Sequence, residues 1–121
     1  IITADTIVST AEGVLGKPQD EQAARDMLRL ISGREHTVTT AFTLNTTECH
    51  VSRAVTTVVR FAPLTDEMIE YYIRRFLPFD KAGAYGIQEW IGLAAVESIN
   101  GSYSNVVGLP TQQLYEALSK L

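Results

Sequence analysis

Five polar side chains stand where a plain hydrophobic core would not ask for them: Asp5, Thr6, Lys17, Lys81 and Gln88. The last two lie in Phe79-Asp80-Lys81-Ala82-Gly83-Ala84-Tyr85-Gly86-Ile87-Gln88, which holds a charged pair, two glycines, a tyrosine and a glutamine within ten residues. That mixture reads as a loop leading into a short strand, built to set Lys81 and Gln88 against something anionic and polar. It forms one wall of a nucleotide site. The second wall is Ile2-Thr3-Ala4-Asp5-Thr6-Ile7-Val8. A binding lysine and an acidic group near it are the parts from which phosphate chemistry is assembled.

Each residue also has a plainer account. Asp5 shares a strand face with Ile1, Thr3 and Ile7, where a carboxylate needs a metal, a donor or a proton. A strand-end aspartate accepting turn hydrogen bonds explains it equally well. Lys17 sits in Gly16-Lys17-Pro18, where Pro18 fixes its own φ and Gly16 frees the backbone. The bend shortens the search of Lys17 for an anion, although a solvated lysine accounts for the tripeptide taken alone. His36 and His50 have no neighbouring ligand pattern and read as surface or strand-end residues. Cys49 has no basic partner nearby in sequence and is given no catalysis.

The elements that must position these groups follow from periodicity. Residues Ile1 to Val8 alternate as a strand, with Ile1, Thr3, Asp5 and Ile7 on one side and Ile2, Ala4, Thr6 and Val8 on the other. Glu12-Gly13 turns the chain into Val14-Leu15. Asp20 is suited to cap a helix whose apolar face is Ala24, Met27, Leu28 and Ile31, ending at Ser32-Gly33, with Arg25, Asp26 and Arg29 as a solvated face. His36 to Asn45 and Glu48 to Phe61 form a long antiparallel ribbon, rich in threonine and valine. Thr65 caps a second helix, Asp66 to Arg75, with Ile69, Tyr72, Ile73 and Phe76 buried; Arg74 and Arg75 favour its dipole. The apolar run Ile91 to Val96 leads into another strand, Ser102 to Asn105 opens a short helix, and Pro110 or Thr111 starts a last helix with Leu114, Leu118 and Leu121 facing inward. Interleaved strands and helices give an α/β class, with a mixed sheet.

The chain has 121 residues, which suits one domain over residues 1–121. The formal net charge of -4 argues against broad binding to nucleic acid or anionic membranes, so a polyanion must meet a local cluster of lysines, with a metal ion. One cysteine cannot form an internal disulfide, which fits a reducing, cytoplasmic setting. No apolar run is long enough to span a bilayer and no signal peptide is visible. The chain opens on Ile1-Ile2, already inside a strand and without Met, so upstream sequence is expected. There is no Walker P-loop and no dinucleotide fingerprint, and two unplaced histidines do not assign a Ser-His-Asp set.

Taken in order, the motifs resemble the Maf family of nucleoside triphosphate pyrophosphatases. The matching stretches are Ala4-Asp5-Thr6-Ile7-Val8, Gly16-Lys17-Pro18, Met27-Leu28, Leu30-Ile31-Ser32-Gly33 with His36 after it, and Leu64-Thr65-Asp66. Asp80 to Gln88, Gly101-Ser102-Tyr103 and Asn105-Val106-Val107-Gly108-Leu109-Pro110 continue the match. Asp80 to Gln88 resembles the branch acting on dTTP and UTP, and differs from the branch that prefers a methylated GTP. The resemblance implies a two-lobed α/β fold, related in shape to the inosine triphosphatases, with an elongated mixed sheet, flanking helices and a cleft. It implies hydrolysis between the α and β phosphates, to the monophosphate and pyrophosphate, with a divalent cation, magnesium or manganese. By position, Asp5 matches the proton acceptor, with a metal-holding role also open to it. Thr6 and Gln88 match positions tied to base preference, and Lys17 and Lys81 match lysines lining the phosphate cleft. A glutamine amide, both donor and acceptor, suits the imide edge of uracil or thymine.

The family's Ser-rich, Arg-Arg phosphate loop and the glutamate and lysine before its Asp-Thr motif lie outside this sequence. Leu77-Pro78 replaces the acidic residue and proline of many relatives. The resemblance also implies a homodimer and, as the alternative to an enzyme, a non-catalytic Maf-like regulator of septum formation that binds a nucleotide or a partner.

Overall fold

The computed structural model describes residues 1–120. β1 (Ile2–Thr10) turns at Ala11-Glu12 into β2 (Gly13–Leu15). α1 (Glu21–Ile31) follows, capped where Asp20 accepts a hydrogen bond of 2.8 Å from the Ala23 N–H. β3 (Glu35–Asn45) and β4 (His50–Phe61) pair along their full length. α2 (Asp66–Phe76) is capped by Thr65, which accepts from the Met68 N–H at 3.1 Å. After it come α3 (Trp90–Ala95), β5 (Val96–Asn100), α4 (Tyr103–Val107) and α5 (Thr111–Ser119). The sheet order is β2-β1-β3-β4-β5.

The α/β class with flanking helices stands, but the mixed strand directions do not. Every pairing among the described residues is antiparallel. The cause is local: β1–β2 and β3–β4 are hairpins. The helical connection from β4 returns to the end it left, so that Val96 pairs with Phe61.

Period-2 alternation buries one face of the ribbon. On β3, His36, Val38, Thr40, Phe42 and Leu44 are buried, and register sets them beside Val8, Thr6, Ala4 and Ile2 of β1 and beside Val59, Thr57, Val55, Arg53 and Val51 of β4. Two hydrophobic clusters lie along this face. One joins Val38 and Val59 to Leu28 and Ile31 of α1, Ile69, Tyr72 and Ile73 of α2, and Ile91 of α3. The other joins Phe42 and Leu44 to Leu114 and Ala117 of α5. Between them runs a polar layer of Thr40, Thr57 and Asn105, all buried. The Asn105 amide nitrogen lies 3.0 Å from the Val38 carbonyl and 2.8 Å from the Val55 carbonyl, which fixes the amide's orientation and pins α4 across the ribbon.

Several local expectations change. His36 is not a surface residue: it is 2% exposed, because it occupies the first inward position of β3. Leu118 is 44% exposed, and Ala117 takes the inward place on α5; Leu121 lies outside the described residues. Arg25 is not merely solvated. It bridges to Glu70 of α2 through Nε and through Nη2 at 3.1 Å, and its hydrogen bond to that carboxylate raises the guanidinium pKa. Asp26 and Arg29 are exposed as expected.

Candidate functional site

The Asp80–Gln88 segment is not a strand. It begins after Leu77, which closes α2 in a left-handed conformation at φ 47. Two tight turns follow, Pro78–Asp80 and Ala82–Ala84; Tyr85 is extended, and a further turn, closed by the Glu89 N–H donating to the Gly86 carbonyl at 3.0 Å, leads into α3. The turns form because Gly83 sits at φ 73 with its α-carbon against β1: a Cβ there would meet Val8 Cγ1 at 3.0 Å. Ala84, at φ 64, is a non-glycine residue in the left-handed region, which persists only when its surroundings hold it.

The restraints are visible. The Gly83 N–H donates to the Gly16 carbonyl at 3.1 Å, tying this segment to the bend that carries Lys17. The Gly86 N–H donates to the Tyr72 hydroxyl at 3.0 Å, and that hydroxyl donates to Glu89 at 2.6 Å. Tyr85 OH and His36 Nε2 are 2.6 Å apart, with the His36, Phe61 and Tyr85 rings packed edge to face. Burial raises the pKa of both tyrosines and pushes His36 down to about 4, so the imidazole is neutral near pH 7. The Tyr85–His36 brace is therefore a bond between neutral groups, with no charge to desolvate.

These restraints shape a cavity of about 320 Å³, within the range of small-molecule sites. Asp5, Thr6, Lys17, Lys81 and Gln88 all line it. Tyr85, Gly86 and Ile87 continue the Lys81 wall, and Val106 to Gly108, leading toward α5, close the other side. Asp5 and Thr6 point to opposite faces of β1, yet both reach the cavity. β2 covers β1 only from Val8 to Thr10, so the outer edge of Ile2–Ile7 has no neighbouring strand among the described residues. There Asp5 Oδ1 accepts from the Thr6 N–H at 3.0 Å. The expected cost of a carboxylate among isoleucines does not arise, because Ile1 and Ile7 are 88% and 43% exposed.

Lys81 lays its stem across Gly86, where a Cβ would meet Lys81 Cε at 2.6 Å. Its ammonium is 3.2 Å from Asp80 Oδ1 and holds the Asp80 carboxyl below the usual carboxylate range. Lys17 is exposed and stands near enough to add to that effect. The arrangement offers two cations for an anion, two carboxylates, and an amide with a hydroxyl for a polar ring edge.

Asp5 and Asp80 are a sparse donor set, and no group of three or more His, Cys, Asp or Glu among the described residues could hold a metal alone. Magnesium, however, is commonly held by one or two carboxylates together with substrate phosphates, so the set fits a cation that arrives with its nucleotide.

The sequence reading passed over Asp80, His36, Tyr72 and Asn105 as parts of the site. The inward register of His36 with Val38 and Thr40 was a usable signal; the reach of Tyr72 to Gly86, across 14 residues, had none.

Known proteins bear on this cavity. The family profile described as Maf-like protein matches residues 1–121. A dTTP/UTP pyrophosphatase of Phocaeicola vulgatus is 54% identical over 121 residues, covering 100% of this chain and 63% of that protein. One of Parabacteroides distasonis is 51% identical over 118 residues, covering 98% of this chain and 61% of that protein. One of Porphyromonas gingivalis is 48% identical over 118 residues, covering 98% and 59%. The chain thus spans 59% to 63% of the length of these relatives.

Proposed function

The chain belongs to the Maf-like protein family, and on that premise we propose that the protein carrying it hydrolyses dTTP and UTP to the nucleoside monophosphate and pyrophosphate. The observation that carries the reading is the convergence of Asp5, Thr6, Lys17, Lys81 and Gln88 on one cavity of nucleotide-binding size. The printed names of the relatives supply the substrate class.

Roles follow from chemistry. A triphosphate carries about four negative charges near neutral pH, and Lys17 and Lys81 face the part of the cavity suited to them. Lys81 trades its Asp80 contact for phosphate oxygen without leaving the wall, since its stem stays over Gly86. Asp5, at the open edge of β1, accepts the proton from the attacking water as the α–β anhydride bond breaks and pyrophosphate leaves. A divalent cation bound by Asp5, with Asp80 beside it, would neutralise phosphate charge and lower the pKa of bound water. Thr6 and Gln88 take the base. The exposed, free Cys49 fits the reducing, cytoplasmic setting that belongs to this reading.

The test is pyrophosphate release by the full-length protein from each common nucleoside triphosphate, with magnesium or manganese. Turnover of UTP and dTTP well above that of the purine nucleotides is the expected result. Nucleotide binding with no turnover at high enzyme concentration would instead support a non-catalytic Maf-like binder. Light scattering of the same sample checks the homodimer that belongs to this reading.

A further inference from the structure

We propose that Thr40, a fully buried residue outside the cavity, sets base preference by fixing the Thr6 hydroxyl as a hydrogen-bond acceptor that reads the imide N–H of uracil or thymine. The inference rests on the pyrophosphatase reading only for where the base lies.

The argument is a count of hydrogens. A threonine hydroxyl has one hydrogen to donate and two lone pairs. Thr40 Oγ1 lies 3.2 Å from the Asn105 carbonyl, which can only accept, so the Thr40 hydrogen goes there. Thr6 Oγ1 lies 2.9 Å from Thr40 Oγ1. With the Thr40 hydrogen already placed, the Thr6 hydrogen is the one that fills this contact. The other acceptor in reach is the Gly108 carbonyl, 3.4 Å from Thr6 Oγ1, and it too takes a hydrogen and supplies none. Gly108 lines the cavity and its contact is the longer one, so Thr40 is the acceptor that turns the Thr6 hydrogen away from a ligand, and Thr6 then presents lone pairs alone to the cavity it lines.

The layer behind it is rigid. Asn105, fully buried, anchors α4 to the Val38 and Val55 carbonyls, so the carbonyl that takes the Thr40 hydrogen is held in place. Gln88 cannot supply this selectivity by itself. It is exposed, and its amide turns over to offer either NH₂ or oxygen to a base edge. Thr6 lacks that freedom. Uracil and thymine carry an N–H at the ring nitrogen between their two carbonyls, whereas cytosine carries a bare lone pair there. An acceptor-only hydroxyl bonds the first and repels the second, and Gln88 then gives its NH₂ to the adjoining carbonyl.

The experiment compares UMP and CMP binding to the full-length protein by titration calorimetry, which needs no turnover, alongside pyrophosphate release from UTP and CTP. Thr40→Val keeps the shape and removes the acceptor, leaving only the longer Gly108 contact; the UMP-to-CMP affinity ratio should fall about tenfold, the scale of one neutral hydrogen bond. Thr40→Ser restores the acceptor and should keep the wild-type ratio. If Thr40→Val does not fold, Thr40→Ala removes the same acceptor. A ratio unchanged by Thr40→Val, or a wild-type protein indifferent to the base, overturns the relay. The two readings separate cleanly. A base ratio that shifts with Thr40→Val in a protein releasing no pyrophosphate keeps the relay and loses the enzyme. Pyrophosphate release with a ratio indifferent to Thr40→Val does the reverse.

Discussion

The two ends of the same ribbon face are packed unequally. At the His36–Val38 end, fifteen buried apolar residues from β1, α1, β3, β4, α2, the Lys81 wall and α3 form one cluster. At the Phe42–Leu44 end, four do so, and among the described residues α5 is the helix that contributes to them. Of the two left-handed non-glycine residues, Ala84 belongs to the dense cluster and to the run that builds the Lys81 wall, and Leu77 closes α2 just before that run. Backbone strain of this kind costs about 1–3 kcal/mol per residue and survives where neighbours over-determine the conformation. A polar loop can therefore be mounted with accuracy on the dense end, while the sparse end offers no such support. The cavity is lined by Val8, Val38, Tyr85 and Ile87 of that dense cluster, and by Val106 to Gly108 at the C-terminal end of α4.

The largest expected effect probes whether chemistry belongs to the dense end at all. Asp5→Asn in the full-length protein should lower turnover of UTP about a thousandfold, the scale of general-base loss, while UMP affinity changes by less than about threefold. Turnover within a few-fold of wild type would make Asp5 a structural cap for the Thr6 N–H.

Next come two core truncations that weigh the clusters against each other. Leu28→Ala, at 0% exposure among the α1, α2 and sheet side chains, should cost about 4 kcal/mol in urea unfolding. Leu114→Ala, at 8% exposure in the small cluster, should cost about 2 kcal/mol, because solvent and α5 relax into the space. Equal costs would break the contrast.

Acid should weaken the dense end selectively. Burial pushes His36 from 6.5 to about 4, so between those values the unfolded chain binds more protons than the folded one. Stability therefore rises with pH from about 4 to about 6.5, and the His36 contribution, about 3 kcal/mol, is fully present above 6.5 and lost below 4. His36→Gln, whose amide still reaches the Tyr85 hydroxyl, should flatten that part of the curve. A slope unchanged in the variant would assign it to other groups.

The smallest effect is a control on exposed charge. Arg29→Ala breaks a pair with Asp66 at 3.6 Å in which both side chains are at least half exposed, and stability should change by less than about 0.5 kcal/mol.

Much of the fold was legible because its signals are local. Asp20 and Thr65 cap the helices they were expected to cap, and the alternation Val38-Thr40-Phe42-Leu44 names the buried face correctly. The misreadings share a cause. His36 extends that alternation by one step, but a histidine at a strand start carries no apolar signal of its own. Tyr85 to Gln88 has strand composition, yet the close approach of Gly83 to Val8 and the hold of Tyr72 on Gly86 bend it into turns and extended loop. Leu118 fits a helical stripe, but the small second cluster has room for Leu114 and Ala117 only.

Residue types and spacing determined by themselves which side chains are of interest: an acid beside a hydroxyl, two lysines on constrained backbone, and a glutamine, in an order that resembles one family. They also determined the helix caps and the ribbon, since capping and period-2 burial depend on neighbours in sequence. Only the tertiary structure decided that Asp5 and Thr6, on opposite faces of β1, line one cavity, because that depends on an open strand edge. It alone decided which oxygens the Thr6 hydroxyl reaches. Those facts follow from contacts between residues 34 to 102 positions apart, such as Thr6 with Thr40 and Thr6 with Gly108, and no local pattern encodes which distant oxygen will be the nearest acceptor.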